Sequence, residues 1–327
     1  MGGCGAAAKV REPDLVSHAP PAPAAPVPTP RQQSEGDGIR IAIVTHGQAA
    51  SGFWAIVKNG GDAAARQMDV RVTYRSPDVY SVARMRHFID EAIAGRPDGL
   101  VVSIPTPALA GAIRRAVRAG IPVVSINSGS EIFRRLGVLA HIGQEEEPAG
   151  RAAGERLAAA GVRHALCIVH EPGNIGLEKR CRGMARAISA AGGTSRNVPV
   201  DVRDNAIAQR QLAAALRDRA VDGVLTLSSD SAVATDAALR TSPRARPLVF
   251  GTFDLSPDVL REVLAGRIAF AVDQQAYLQG YLPVVLLTQL ARYGLFPGQG
   301  EVIPTGPHFV TRATAAQAIR LSQRGIR

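Results

Sequence analysis

Apolar residues in this chain come in short unbroken runs, separated by longer stretches with helical spacing. The runs read as strands: IRIAIV (39–44), VRVTYR (70–75), GLVVSI (99–104), PVVSIN (122–127), HALCIV (164–169), DGVLTL (222–227), PLVFGTF (247–253) and IAFAVD (268–273). Runs without polar alternation indicate strands covered on both faces, hence parallel sheets with helices on either side. The stretches between them carry helix signals. Gly120 closes ALAGAIRRAVRAG and hands over to Ile121-Pro122, while Asp98-Gly99 and Asp222-Gly223 lead into strands.

A second series of the same kind begins after HIGQEEEPAG (141–150), and each half has the spacing of a complete small doubly wound domain. The predicted fold class is therefore α/β with two doubly wound parallel-sheet domains. Glu145, Glu146 and Glu147 fall at a helix start, where carboxylates complement the dipole, and no metal is expected there. In open parallel sheets ligands bind outside the carboxyl ends of the strands, so two facing sheets put the ligand in the cleft between them.

The residues at those strand ends share a chemistry. Ser51, Phe53 and Trp54 follow the first strand, Ser103 ends the third, and Asn127 and Ser128 follow the fourth. In the second half come Asn174 and Arg180, then Ser228, Ser229 and Asp230, then Phe253-Asp254, and last Asp273, Gln274 and Gln275. His46 and His170 are the strand-end histidines. Hydroxyls, amides, a few carboxylates and flat aromatics suit a sugar or polyol, whose hydroxyls both donate and accept and whose C–H faces pack on rings. For Asp254 the alternative is a helix N-cap, but Ser256 in S-P-D suits that cap better. For Phe53 and Trp54 the alternative is the core of the first helix.

Composition narrows the function. The chain has 327 residues, 46% of them hydrophobic, enough for two domains with real cores. Aromatics are only 4%, which makes the Phe53-Trp54 pair stand out. No apolar run approaches the roughly 18 residues of a membrane span. YLPVVLLTQL (281–290), interrupted by Pro283 and Gln289, reads as a buried core helix. The net charge of +10 comes almost wholly from arginine, with Lys9, Lys58 and Lys179 the only lysines. These arginines are scattered among acids along helices and form no basic stripe with aromatics, so nucleic acid is not an expected partner. VTHGQAASG lacks the dinucleotide-binding glycine pattern, and no Ser/His/Asp order, HExxH or paired-carboxylate helix occurs. The chain is not read as an enzyme, and no cofactor is expected.

Residues 12–37 are rich in Pro, Ala and polar residues without periodicity and read as a disordered, partly polyproline tether. Ahead of it, Gly2-Gly3-Cys4 matches the end of a bacterial lipoprotein signal. The aliphatic position falls on Met1, and the basic and apolar regions of a signal are missing, which a start site assigned too far downstream would explain. The expectation is a lipid anchor at Cys4, with that anchor as the chain's link to the membrane.

Several stretches together resemble the ribose-type periplasmic sugar-binding proteins, the substrate-binding components of ABC importers. They are IRIAIVTHGQAASGFWAIVKNGG, RPDGLVVSIPTPALAGAIRRAVRAGIPVVSIN, LEKRCRGM, GTFDLSPDVLREVLAGRIAFAVDQQAYLQGYL and FVTRATAAQAI. The resemblance covers about Ile39 to Arg327. It implies a ligand set of Ser51, Phe53, Trp54, Ser103, Asn127, Arg180, Ser229, Asp254 and Gln274. It departs from ribose binders at Ile104, Asn127 and Ser128, which leaves a sugar, polyol or related polar ligand. It also implies three interdomain crossings near 144, 274 and 306. The lobes would then be 39–144 plus 275–306 and 145–274 plus 307–327, joined by a three-stranded hinge. The implied protein is a monomer outside the cytoplasm that closes on its ligand and delivers it to an ABC permease. A sugar-sensing receptor feeding a signalling partner is the alternative, with a repressor-type effector domain behind it. Cys167 on a strand and Cys181 on the next helix are either a disulfide or two buried thiols. A Cα–Cα distance above about 7 Å would exclude the bond.

Overall fold

The computed structural model describes residues 38–47, 52–241 and 248–327. Cys4, the tether and Ser51 lie outside the described residues. The eight runs form strands in two separate six-stranded sheets. In the first sheet, β1 (Arg40–Val44) lies between β2 (Arg71–Arg75) and β3 (Gly99–Ser103), followed outward by β4 (Val123–Ile126), β5 (Ala140–Gly143) and β11 (Val302–Pro304), all pairs parallel. The second sheet repeats the order. There β6 (His164–Val169) lies between β7 (Thr194–Pro199) and β8 (Gly223–Thr226), then come β9 (Val249–Phe253), β10 (Phe270–Asp273) and β12 (His308–Val310). The one departure from parallel pairing is β12, antiparallel to β10.

Four of these strands are not among the predicted runs. β5 is only AHIG, β7 is a largely exposed edge reading TSRNVP, and β11 and β12 have three residues each. The edge strands β7, β11 and β12 need no apolar run, because a neighbour on one side supplies their pairing, and β5, though buried between β4 and β11, is too short at four residues to show one.

Helices cover both faces of each sheet. On the first, α1 (Gly52–Met68) and α9 (Ala276–Tyr293) bury Val57, Val284 and Leu287 against Ile43 and Val101. α2 (Val82–Ala94) and α3 (Ala110–Arg118) cover the opposite face with Ile89 and Ile113 against Val44 and Val102. α9 contains the YLPVVLLTQL stretch, and no helix among the described residues is long and apolar enough to cross a membrane. On the second sheet, α4 (Glu146–Ala159) and α5 (Ile175–Ala190) pack Leu157 and Met184 on Cys167 and Leu225. α6 (Asn205–Leu216), α7 (Ser229–Thr241), α8 (Pro257–Ala265) and α10 (Arg312–Ser322) close the other side around Leu212, Phe250 and Leu260.

Chain direction brings the three connections between the sheets side by side. After β5 the chain enters α4, after β10 it enters α9, and β11 and β12 lie on different sheets. Gln279 Nε2 donates both to the Gln274 carbonyl (3.0 Å) and to Thr305 Oγ1 (3.2 Å), linking two of these connections.

The α4–α5 pair carries the floor of the cleft. Its axes come close enough that a Cβ at Gly150 would lie 2.0 Å from the Arg180 carbonyl oxygen. A bond between Cys167 and Cys181 ties α5 to β6, with Cα atoms 5.7 Å apart, inside the limit set above. Arg180 therefore sits one residue from a covalent tie and directly opposite a glycine contact. Gly150→Ala should push α5 away and cost about 1–3 kcal/mol, as overpacking of a tight contact does. A thermal denaturation midpoint equal to that of the parent protein would refute the backbone-contact account.

Candidate ligand-binding site

The carboxyl ends of both sheets open on one cavity of about 340 Å³ between them. Both fourth strands end in a non-glycine residue with left-handed backbone: Asn127 (φ 61°) after β4 and Asp254 (φ 69°) after β9. That conformation is costly for side chains other than Gly and is tolerated best by Asn and Asp. Here it places two side chains on the cavity wall, and strain of this kind gathers at functional sites. Ser256, not Asp254, caps α8, its side chain accepting from the Val259 amide, so Asp254 is left for the cavity as expected.

One wall is aromatic. Phe53 and Trp54, at the start of α1, both line the cavity and lie edge-to-face with centroids 5.1 Å apart. Both are also nearly fully buried in the first-sheet core, so the core reading and the cavity reading are two faces of one pair. Gly47 makes room for the indole, since a Cβ there would lie 1.4 Å from Trp54 Nε1.

The floor is a buried ion-pair network on Arg180, which is 2% exposed. Its Nε donates to Glu146 Oε2 (2.5 Å) and its Nη2 to Glu146 Oε1 (2.9 Å), a two-pronged pairing. Nη2 also donates to Gln274 Oε1 at 2.9 Å, and the guanidinium lies 4.5 Å above the Phe253 ring. Gln274 Nε2 then donates to Asp254 Oδ1. Glu146, 1% exposed, was legible only as one of three helix-start acids. Charge periodicity along the sequence does not separate it from Glu145 and Glu147.

Beside the aromatic pair stands His46, its ring edge-on to Trp54 with centroids 4.9 Å apart; it is a lining residue outside the predicted set, as are Tyr80, His170, Glu171, Asn174, Ser228 and Asp230. Asn174 Nδ2 donates to His46 Nε2 (3.3 Å), which assigns the ring hydrogen to Nδ1, 2.7 Å from Ser103 Oγ. Ser103 is fully buried and does not line the cavity; it orients His46 instead. Ser229 likewise is buried at the start of α7, and its neighbour Ser228 takes the lining position. Of the predicted set, Phe53, Trp54, Asn127, Arg180, Asp254 and Gln274 converge on the cavity.

Burial sets the protonation states. It lowers His46 and His170 to about 3, with Arg180 adding repulsion to both, so these rings are neutral. Burial pushes Asp254 up to about 7 against the opposing pull of Arg180 and the Gln274 hydrogen bond. Glu171 is also pushed up to about 7 by burial, although it accepts from Asn174 Nδ2 at 2.8 Å. No group of metal-ligating side chains occurs among the described residues.

The cavity spans elements of both sheets, and its rim is bridged. The Ile175 amide donates to the Pro105 carbonyl (2.9 Å), and Lys179 pairs with Glu131 at 3.0 Å. A cleft between two repeated sheets, with its lining groups at paired strand ends, has a counterpart among known proteins. Residues 41–295 match the model of the periplasmic binding protein domain. The chain belongs to the periplasmic binding protein family. This binding protein is 33% identical to a carbohydrate transporter from Acidothermus cellulolyticus 11B solved in complex with myo-inositol. That match covers 89% of this chain and 100% of the other, with a TM-score of 0.83. A xylose/arabinose-binding protein from Sulfolobus acidocaldarius is 24% identical over 84% of this chain and 71% of its own length. A solute-binding protein from Burkholderia graminis solved with D-arabinose shares the fold (TM-score 0.77, 23% identity, covering 86% and 98% of the two chains). The family and the two-lobed α/β fold read from the sequence are thus borne out.

The raised Asp254 makes a stability prediction. Its folded value lies above its unfolded one, so its contribution is most favourable at low pH and is lost as pH rises through about 7. Asp254→Asn should therefore raise the melting temperature of the ligand-free protein by a few degrees at pH 8, on the order of 1 kcal/mol, and by less at pH 5.5. Scanning fluorimetry at both pH values tests this. Equal shifts would mean that Arg180 and Gln274 fully compensate the ionised carboxylate.

Proposed function

We propose that this binding protein captures a ring-shaped polyol or sugar, of the inositol or pyranose class, outside the cytoplasm and delivers it to an ABC permease. The observation that carries this reading is the pairing of an aromatic wall, Phe53 and Trp54, with convergent polar groups at opposed strand ends, Asn127, Asp254 and Gln274. The C–H face of a ring packs on the aromatics, and its hydroxyls meet Asp254, Asn127 and His46. A wrong epimer leaves a buried polar group unpaired at a cost of ~1–3 kcal/mol, enough for stereochemical choice. The myo-inositol complex of the 33% identical relative supports a cyclic polyol within this class.

In this reading Arg180 fixes the floor, and Ser103 acts through His46. The lobes 39–144 plus 275–306 and 145–274 plus 307–327 close by hinge motion at the three side-by-side connections. The protein acts as a monomer, held to the membrane through Cys4.

The test is a thermal-shift and calorimetric screen against pentoses, hexoses, pentitols and inositols. A ligand at 100 times its Kd should stabilise the fold by ~2.7 kcal/mol. Asp254→Ala should abolish that shift. Arg180→Ala is the poorer control, because it leaves Glu146 buried and unpaired at a cost of about 3–5 kcal/mol. No shift with any polyhydroxylated compound would overturn the reading.

A further inference from the structure

The charges lining the cavity do not balance. Arg180 is matched by Glu146 beneath it, and Arg203 at the outer end is matched by Asp201, whose Oδ1 accepts from its Nε at 2.7 Å. His46 and His170 are neutral. That leaves three lining carboxylates, Glu171, Asp230 and Asp254, with no cation of their own.

Asp254 is 7% exposed, and its Oδ2 accepts no hydrogen bond among the described residues, while Gln274 serves Oδ1. Glu171 has Asn174 as its donor, and His46 Nε2 at 3.6 Å carries no proton. Phe53 and Trp54 line the same cavity as these acids. Buried carboxylates with aromatic rings are what an ammonium group asks for: charge-assisted hydrogen bonds on one side and ring quadrupoles on the other. Hydroxyls alone would leave the excess negative charge buried and uncompensated, a cost that a bound cation removes.

We propose that the preferred ligand is a ring polyol bearing a protonated amine, an aminocyclitol or amino sugar, whose ammonium is held by Asp254 and Glu171. This rests on the polyol reading above and narrows it. Sugar acids and polyol phosphates are correspondingly rejected by the same carboxylates. The neutral family ligands and this one differ in a single substituent, so matched pairs separate the two ideas.

The experiment is calorimetric titration of the full chain at pH 7.5 with matched compounds. The pairs are scyllo-inositol and scyllo-inosamine, myo-inositol and its amino-deoxy analogues, and glucose and glucosamine, with glucuronate and inositol monophosphate as anions. The expected result is that the tightest ligand is an amine, at least about tenfold tighter than its own neutral parent, as one charge-assisted hydrogen bond would give. Asp254→Asn and Glu171→Gln, made singly, should each weaken the amine more than the parent. If every bound parent matches or exceeds its amino analogues, or if an anion binds tightest, the amine proposal falls and the polyol reading stands. If none of the neutral or amino compounds binds, both fall together.

Discussion

The cleft depends on one buried ion pair. Arg180 comes from α5 and Glu146 from the first turn of α4, and neither has appreciable contact with solvent. Two such charges are tolerable inside a protein only when each is fully met by the other and by further hydrogen bonds. Gln274 and the Leu227 carbonyl supply those bonds, and the Phe253 ring supplies a face for the guanidinium. Helices α4 and α5, strands β8 and β9 and the connection after β10 are therefore fixed around a single side chain. The glycine contact at Gly150 and the bond from Cys167 to Cys181 hold α5 at the distance this pair requires. The same pairing determines what Arg180 can offer. With its charge matched by Glu146, it contributes position and hydrogen-bond direction more than net charge.

The repeated sheet order explains how the remaining groups come to face one another. Equivalent strand ends carry related residues: His46 after β1 and His170 after β6, Asn127 after β4 and Asp254 after β9. The last two share the left-handed backbone that Asn and Asp tolerate best. The repeat is structural more than chemical. His46 is locked by Ser103 and Asn174, whereas His170 Nδ1 has no hydrogen-bond partner among the described residues. One half presents an amide where the other presents a carboxylate, and that difference makes the cavity directional.

Much of this was legible because parallel strands buried on two faces must be apolar without interruption. Eight strands follow from that one constraint, the division into two sheets follows from the second series after residue 150, and the core role of the Tyr281–Leu290 helix stretch follows from its apolar content. β7 was not legible, because as an exposed edge its residues Arg196 and Asn197 face water. Among site residues, those directly after apolar strands were readable by position, as with Asn127, Asp254 and Gln274. Glu146 was not, since a pairing partner 34 positions away leaves no trace in local pattern. Ser103 and Ser229 mark a second limit. A sequence places a residue at a strand end but does not say which way its side chain turns, and His46 and Ser228 line the cavity where Ser103 and Ser229 do not.

The cavity also shows a conflict between binding and folding. Asp254 and Glu171 are held well above their ordinary values by burial, so near neutral pH each sits between two unfavourable options: a buried charge or a lost acceptor. The fold gains nothing from either, and an amide at Asp254 would serve the empty protein better. What the carboxylates supply, in the proposed function, is a strong acceptor for a ligand's donors. On the proposed reading, hydroxyl or ammonium donors of a ligand complete the shells that protein groups leave open, and binding stabilises the fold. In the proposed function, closure around a ligand would be favoured by the same groups that cost the fold stability, coupling occupancy of the cavity to the geometry of the two lobes.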